Sequence, residues 1–352
     1  MKSVINVLLG VVIVAAIATF VTWQMSRPIF DVQLTSEDLD VVEIAPIESA
    51  LTFARTKSGD VLLVLRANGS EVVGVKIKSG TSTPHRDAID AYNAIGAEAF
   101  VGLAQNGAQQ TYAWADLAVP TEETYPHVAA GTNYSSHAAE VGHEGDPFLF
   151  PKLSKVTGWN DDVINGGRLD YEVEICAAPL TDHTSANPAK LGYVLCGDFT
   201  DRWSLIKHID LDGPMGPTGF PNGKAGETRL PVGALFVIPN DHEFYKSLDV
   251  KLYVNDELRQ QASAALMIWS PNEILSRTLA DCETPYKLDD SFIRIADCDV
   301  IPARTFILTG TPEGVIFKVP TIWNPLAYLR PGDVVISTGK YLGFMRNEIV
   351  RN

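Results

Sequence analysis

A chain of 352 residues, 46% of them hydrophobic and 20% charged, can bury a large core in two structural units, and this composition excludes a disordered protein. The formal charge of −15 at pH 7, with no basic run, excludes a nucleic-acid binder, because phosphate contacts need a positive footprint.

The first element is apolar. VINVLLGVVIVAAIATFVTW, residues 4–23, carries no charge, and a helix of that length rises about 30 Å, the hydrocarbon thickness of a bilayer. Ala16-Ile17-Ala18 has the small-x-small form of a signal cleavage site, so residues 1–29 read as a transmembrane anchor or a signal segment. The run continues to Trp23, a residue suited to a membrane interface, which favours the anchor. Lys2 precedes the span, while Asp31, Glu37, Asp38 and Asp40 follow it beyond Arg27. That bias places the N-terminus in the cytoplasm and the rest outside it, in a periplasm-like space.

Residues 30–125 predict a small α+β domain. Its signals are VVEIA, LTFAR, VLLVLRANGSEVVGVKI with a hairpin turn at Asn68-Gly69, and a helix over HRDAIDAYNAIGAEAFVGLAQ. Residues 126–352 predict a mainly β domain of apolar strands between Gly, Pro and Asn loops, with one clear helix, NEILSRTLA, at 272–280. The fold class is therefore α+β, mainly β. Cys282 and Cys298 would close a loop of about 15 residues in an oxidising compartment, worth roughly 3 kcal/mol, or remain two thiols. Cys176 and Cys196 lack the spacing of a zinc site.

Five stretches of the second domain carry chemistry. In LDYEVEI, residues 169–175, Asp170, Glu172 and Glu174 alternate with apolar residues. Side chains two apart in a strand share a face, with Cβ atoms about 6 to 7 Å apart, so the row is either a solvated face or the binding site of a hard cation. In GTNYSSHAAEVG, residues 131–142, His137 and Glu140 are three apart; on one helical turn Glu140 would orient the imidazole, although a plain surface pair has the same spacing. GYVLCGDFTDR adds Asp198 at the end of an apolar strand, GFPNGKAGET adds Lys224 in a loop, and TGTPEG offers Thr311 with backbone N–H groups suited to an anion or to a turn.

In this order and with these neighbours the stretches resemble the fumarylacetoacetate hydrolase family, from about Val42 to the C-terminus. GTNYSSHAAE is similar to the family's G-x-N-Y-x-x-H-x-x-E, LDYEVEI to its Y-E-x-E strand, and GYVLCGDFTDR to G-Y-x-x-x-x-D-x-[ST]-x-R; NGKAGETRLPVGALFV, LTGTPEGV and LRPGDVV continue the match. The resemblance implies a mixed β-roll catalytic domain that pairs as a homodimer. It implies a divalent cation, Mg²⁺ with Mn²⁺ or Ca²⁺ as alternatives, on Glu172, Glu174 and Asp198, with Asp170 outside the ligand set and facing water. It implies catalytic roles for His137, Glu140 and Lys224, and substrate contacts from Tyr134, Lys152, Arg202 and Thr311. The expected reaction is hydrolysis of a C–C bond in a β-diketo or acylpyruvate-type acid. Alternatives are a decarboxylase or isomerase of an oxaloacetate-like keto acid, and, from another class, a non-catalytic metal- or metabolite-binding membrane protein.

Two departures bear on specificity. Arg202 is followed by Trp203-Ser204-Leu205 where many members have an acid and a glutamine, which removes polar groups from one wall of the expected pocket. DCETPYKLDDSFIRIADCDVIP, residues 281–302, is an insertion expected to serve as a lid, an oligomer contact or a tolerated surface segment.

Overall fold

The computed structural model describes residues 2–27, 30–79, 84–319 and 321–351. The apolar N-terminal run forms a helix, Lys2–Met25, whose side chains from Val4 to Val21 are exposed. Among the described residues it is the one helix long and apolar enough to cross a membrane, a property that a signal sequence shares.

The body is built on a 12-stranded sheet. At its centre the strands Val173–Pro179 and Leu191–Gly197 pair antiparallel, from Val173 opposite Gly197 to Pro179 opposite Leu191. Both are buried along their whole length, which is why the sequence shows continuous apolar runs there rather than alternation. Cys176 and Cys196 form a disulfide between these two strands. To one side lies Phe236–Pro239, which pairs with Ala50–Thr56 and so joins the strands Val61–Asn68, Glu71–Lys76 and Gln109–Ala113 to the same sheet. The N-terminal strands and residues 126–352 therefore share one hydrophobic cluster, in which Phe53 and Phe100 belong with Tyr193 and Phe236. To the other side follow Ile307–Leu308, His127–Gly131 and Phe148–Lys152. A second, five-stranded sheet contains Asp249–Val254, Glu257–Ser263, Val334–Gly339 and Gly343–Arg351. This mixed architecture is the expected α+β, mainly β class.

Local chemistry sets the ends of the elements. The hairpin at Asn68-Gly69 forms as expected, with Asn68 Oδ1 accepting from the N–H groups of Ser70 and Glu71. The helix predicted over residues 85–105 is two helices, Ala88–Ile95 and Ala97–Asn106, because the chain turns at Gly96 with φ 83°, a conformation glycine tolerates. Pro271–Ala280 is helical, with Ser270 as its N-cap accepting from Glu273 N–H.

The insertion at 281–302 forms a hairpin, Tyr286–Leu288 with Ser291–Ile293, and the Cys282–Cys298 disulfide closes its base. Lys287 N–H donates to the Pro217 carbonyl at 2.8 Å and Asn222 Nδ2 to Asp289 Oδ1 at 2.7 Å. The hairpin thus braces the loop that leads into the short helix Phe220–Lys224.

Candidate metal centre and active site

Glu172, Glu174 and Asp198 come together because the two central strands end side by side. Asp198 N–H donates to the Glu172 carbonyl at 2.9 Å, one step beyond the pair Val173–Gly197. The three carboxylates are buried, and one oxygen from each lies within 4.8 Å of the others. Such a cluster in a dry site demands positive charge. Lys224 Nζ lies 2.7 Å from Glu172 Oε2 and 2.6 Å from Asp198 Oδ2, Lys152 Nζ lies 2.6 Å from Asp198 Oδ1, and Arg202 Nη2 donates to Glu172 Oε1 at 2.5 Å. Lys224 reaches this position because its helix packs closely on Arg202–His208: a Cβ on Gly223 would stand 2.7 Å from that of Leu205.

The charges are unevenly served. Burial works against ionised Asp198, but Lys152 and Lys224 hold its pKa below the ordinary carboxylate range. Burial likewise opposes the Lys224 ammonium, which Asp198 and Glu172 nevertheless hold above its ordinary value. Lys152 is fully enclosed, and burial pushes it down to about 8 against the pull of Asp198. Among the described residues Glu174 has one hydrogen-bond partner, Gly310 N–H at 2.6 Å. Burial and then the charges of Asp198 and Glu172 push its pKa well above the ordinary value. Three buried carboxylate groups, one of them with no paired cation among the described residues, are the donor set of a hard divalent ion, so the residues present fit such an ion.

Asp170 differs from its expected place. It is fully buried and accepts from Arg202 Nε at 2.8 Å and from the N–H groups of Ile316 and Phe317 at 3.0 Å each. The strand alternation does not carry through Tyr171 and Glu172, which lie between the strands Leu169–Asp170 and Val173–Pro179. Asp170 therefore anchors Arg202 instead of facing water.

His137 and Glu140 share one face of the helix Ser135–Val141, with Nδ1 3.4 Å from Glu140 Oε2. Glu140 is fixed from behind by Gly314 N–H at 3.0 Å and by Lys318 Nζ at 2.8 Å. Burial opposes its ionisation, yet the hydrogen bonds from His137 and Lys318 hold its pKa below the ordinary value. Nδ1 thus carries the proton toward Glu140, and Nε2, with no protein partner among the described residues, is left as the basic nitrogen. In the glycine-flanked loop, read as suited to an anion or to a turn, the N–H groups of Gly310 and Gly314 donate to the protein's own Glu174 and Glu140. Thr311 Oγ1 donates to the Val173 carbonyl and accepts from Gln260 Nε2.

A cavity of about 420 Å³ opens on His137, Glu172, Glu174, Arg202, Lys224 and Thr311. Two residues expected to contact substrate stand outside its wall. Lys152 lies behind Asp198, and Tyr134 is buried beside the helix start, where its backbone bridges to Met267. Leu205 lines the cavity, but Trp203 does not: it stacks under the Arg168 guanidinium at 4.6 Å. The sequence reading missed the remaining apolar wall, including Phe148, Phe220, Leu211 and Trp323, and also Lys318 behind Glu140. No motif marks these residues; only the tertiary approach of separate loops brings them to the site. A second cluster, Cys282, Glu283 and Cys298, is not a metal site, since its thiols are joined in a disulfide.

Residues 126–350 match the family described as fumarylacetoacetate (FAA) hydrolase, C-terminal. The chain is 28% identical over 236 residues to the oxaloacetate tautomerase YisK of Bacillus subtilis, covering 63% of this chain and 68% of that one. It is 28% identical over 245 residues to a 2,4-didehydro-3-deoxy-L-rhamnonate hydrolase of Sphingomonas sp., covering 66% and 75%. In fold it is similar to the fumarylacetoacetate hydrolase of psychrophilic Exiguobacterium antarcticum, with a TM-score of 0.60 at 20% identity over 86% of this chain and 100% of that one. The chain belongs to the fumarylacetoacetate hydrolase family.

Proposed function

We propose that the protein is a Mg²⁺-dependent hydrolase that cleaves a C–C bond in an acylpyruvate-type β-diketo acid. The observation that carries this reading is the buried cluster of Glu172, Glu174 and Asp198 at one end of a cavity that His137 also lines. A divalent ion held by the three carboxylates would polarise the keto oxygens of the acid.

The chain's own groups supply the proton chemistry. His137 Nε2 takes a proton from water, and Glu140 steadies the imidazolium through Nδ1. The oxygen of that water bonds to the acyl carbonyl carbon as the bond to the neighbouring methylene carbon breaks. The electron pair passes to the pyruvate enolate, which takes a proton from the imidazolium; the products are pyruvate and a carboxylic acid. Lys224 and Arg202, held by ion pairs to Glu172, present fixed positive charge to the developing anion. Thr311 lines the cavity, and its hydroxyl, tied to Val173 and Gln260, shapes the wall beside the substrate. Tyr134 and Lys152 support the site from outside the cavity wall.

A tautomerase or decarboxylase of an oxaloacetate-like acid is the second reading, favoured by the similarity to an oxaloacetate tautomerase and by a histidine base that could move a proton without adding water. The test follows the enol absorbance of an acylpyruvate panel and of oxaloacetate, with Mg²⁺ and with EDTA. Metal-dependent loss of acylpyruvate that stops in His137→Ala supports the hydrolase; turnover of oxaloacetate alone replaces it with the second reading.

We also infer an anchored, extracytoplasmic homodimer. All four cysteines are paired, which fits an oxidising compartment, and the Lys2–Met25 helix supplies an anchor. Sedimentation in detergent tests the dimer, and protease access in intact cells tests the topology.

A further inference from the structure

We propose that the substrate's acyl group is a long hydrocarbon chain, and that the cavity receives it from the bilayer in which the N-terminal helix is anchored. This rests on the hydrolase reading and specifies its substrate class.

The cavity is far larger than a short keto acid requires, and matches the size that encloses a drug-sized ligand. Its carboxylates and cations, Glu172, Glu174, Arg202 and Lys224, lie together at one end, and His143 is a further polar residue, beside Phe148. Most of the remaining wall is apolar, formed in part by Leu205, Ile209, Leu211, Met215, Phe220 and Trp323. Three of these also face outward at the mouth: Leu211 is 85% exposed, Trp323 64% and Met215 37%. Large apolar side chains grouped around an opening mark a contact with an apolar phase or ligand.

The mouth lies against the apolar helix. Ile322 and Trp323 line the cavity from the turn Thr321–Trp323, and the next residue, Asn324, donates from Nδ2 to the Thr19 carbonyl and to Thr22 Oγ1, both at 2.9 Å. Thr19 lies about 9 Å along the axis from the end of the helix at Met25. The turn is thus level with the last turns of the span, at the interface where Trp is favoured. Val319, 84% exposed, and Leu326, 47% exposed, flank the same turn. A chain entering between Leu211 and Trp323 would leave lipid and reach the carboxylate end head first.

The test uses the full chain in phosphatidylcholine vesicles with Mg²⁺ and acylpyruvates whose acyl groups run from two to twelve carbons. Burying each methylene favours binding by up to about fourfold, so kcat/KM should rise at least about tenfold from the shortest to the longer acids. Val319→Asp, outside the cavity wall, should leave acetylpyruvate turnover in detergent unchanged and lower turnover of the dodecanoyl acid from vesicles. A flat chain-length profile with metal-dependent turnover of acetylpyruvate overturns the proposal and leaves the hydrolase reading standing. If no acid turns over, the hydrolase reading fails, and binding decides the proposal. Dodecanoylpyruvate that binds the Mg²⁺-loaded protein no tighter than acetylpyruvate by calorimetry overturns it. So does Trp323 fluorescence, isolated as the difference from Trp323→Phe, that brominated phosphatidylcholine fails to quench.

Discussion

The two ends of the cavity are built on opposite principles. At the carboxylate end Glu172, Glu174 and Asp198 sit at the ends of fully buried central strands, tied by four ion pairs to Lys152, Lys224 and Arg202 and by the Cys176–Cys196 disulfide two residues from Glu174 and from Asp198. At the mouth Leu211, Met215 and Trp323 stand on loops and a short turn outside the sheets, exposed and without such ties. The difference teaches that the charged cluster is fixed by the scaffold, whereas the apolar opening is left to segments that can change without disturbing it.

That contrast can be broken or sharpened by experiment. The largest effect should come from His137→Ala, which removes the base at the fixed end and should lower kcat by about 10² to 10⁴ with an unchanged circular dichroism spectrum. Loss of less than tenfold would remove His137 from the proton-transfer step. Next, Arg202→Leu strips the buried Asp170 and Glu172 of their shared partner. It should cost about 3–5 kcal/mol in urea unfolding, whereas Leu211→Ala at the mouth should cost under about 0.5 kcal/mol; equal losses would erase the proposed difference in rigidity.

The two disulfides divide along the same line. Replacing Cys176 and Cys196 together by Ala should remove about 2–4 kcal/mol of stability and weaken Mg²⁺ binding by calorimetry. Replacing Cys282 and Cys298 should leave Mg²⁺ affinity unchanged, since that bridge closes the peripheral hairpin. A loss of affinity in the second variant would show that the hairpin holds Lys224 in place.

The smallest effect concerns pH, on a buried pair away from the cavity. Burial, outweighing Glu123, keeps the His127 pKa below its ordinary value; His127 Nε2 lies 2.8 Å from Glu123 Oε2, and Nδ1 accepts from Phe306 N–H. The unfolded chain therefore takes up this proton first. The contribution of His127 is complete above about pH 6.5 and is lost as the pH falls from there through the lower folded value. Glu123 adds in the same direction at lower pH, because, although burial opposes its charge, His127 and Val156 N–H hold its pKa below normal. Urea midpoints that do not fall between about pH 8 and 5.5 would contradict this.

Much of the polar end was legible in the sequence. The i,i+3 spacing of His137 and Glu140 needs only a helix to become a dyad, and the alternation of Glu172 and Glu174 with apolar residues signalled a strand bearing carboxylates. Asp170 was misplaced because the strand breaks at Tyr171–Glu172, and a break in pleat reverses the meaning of alternation. Trp203 was expected at the pocket wall, yet Trp323, some 120 residues away in the chain, fills that role. Lys152 was expected beside substrate and is instead behind Asp198, a distinction of depth that no spacing encodes.

By itself the sequence determined the elements with short-range causes: an uncharged N-terminal run long enough for a bilayer, period-two strands, the Asn68-Gly69 hairpin, the helix at 272–280, and the ordered motifs that mark the family. Only the tertiary structure decided that the N-terminal strands extend the central sheet, that Cys176 pairs with Cys196, that Glu174, alone among the three carboxylates, has no cation paired with it among the described residues, and that the cavity mouth meets the apolar helix at Asn324. Hydrogen bonds and side-chain periodicity act over a few residues and leave their mark in local composition. Burial, charge pairing and cavity shape depend on which distant segments meet, and those meetings are settled by the packing of the whole chain.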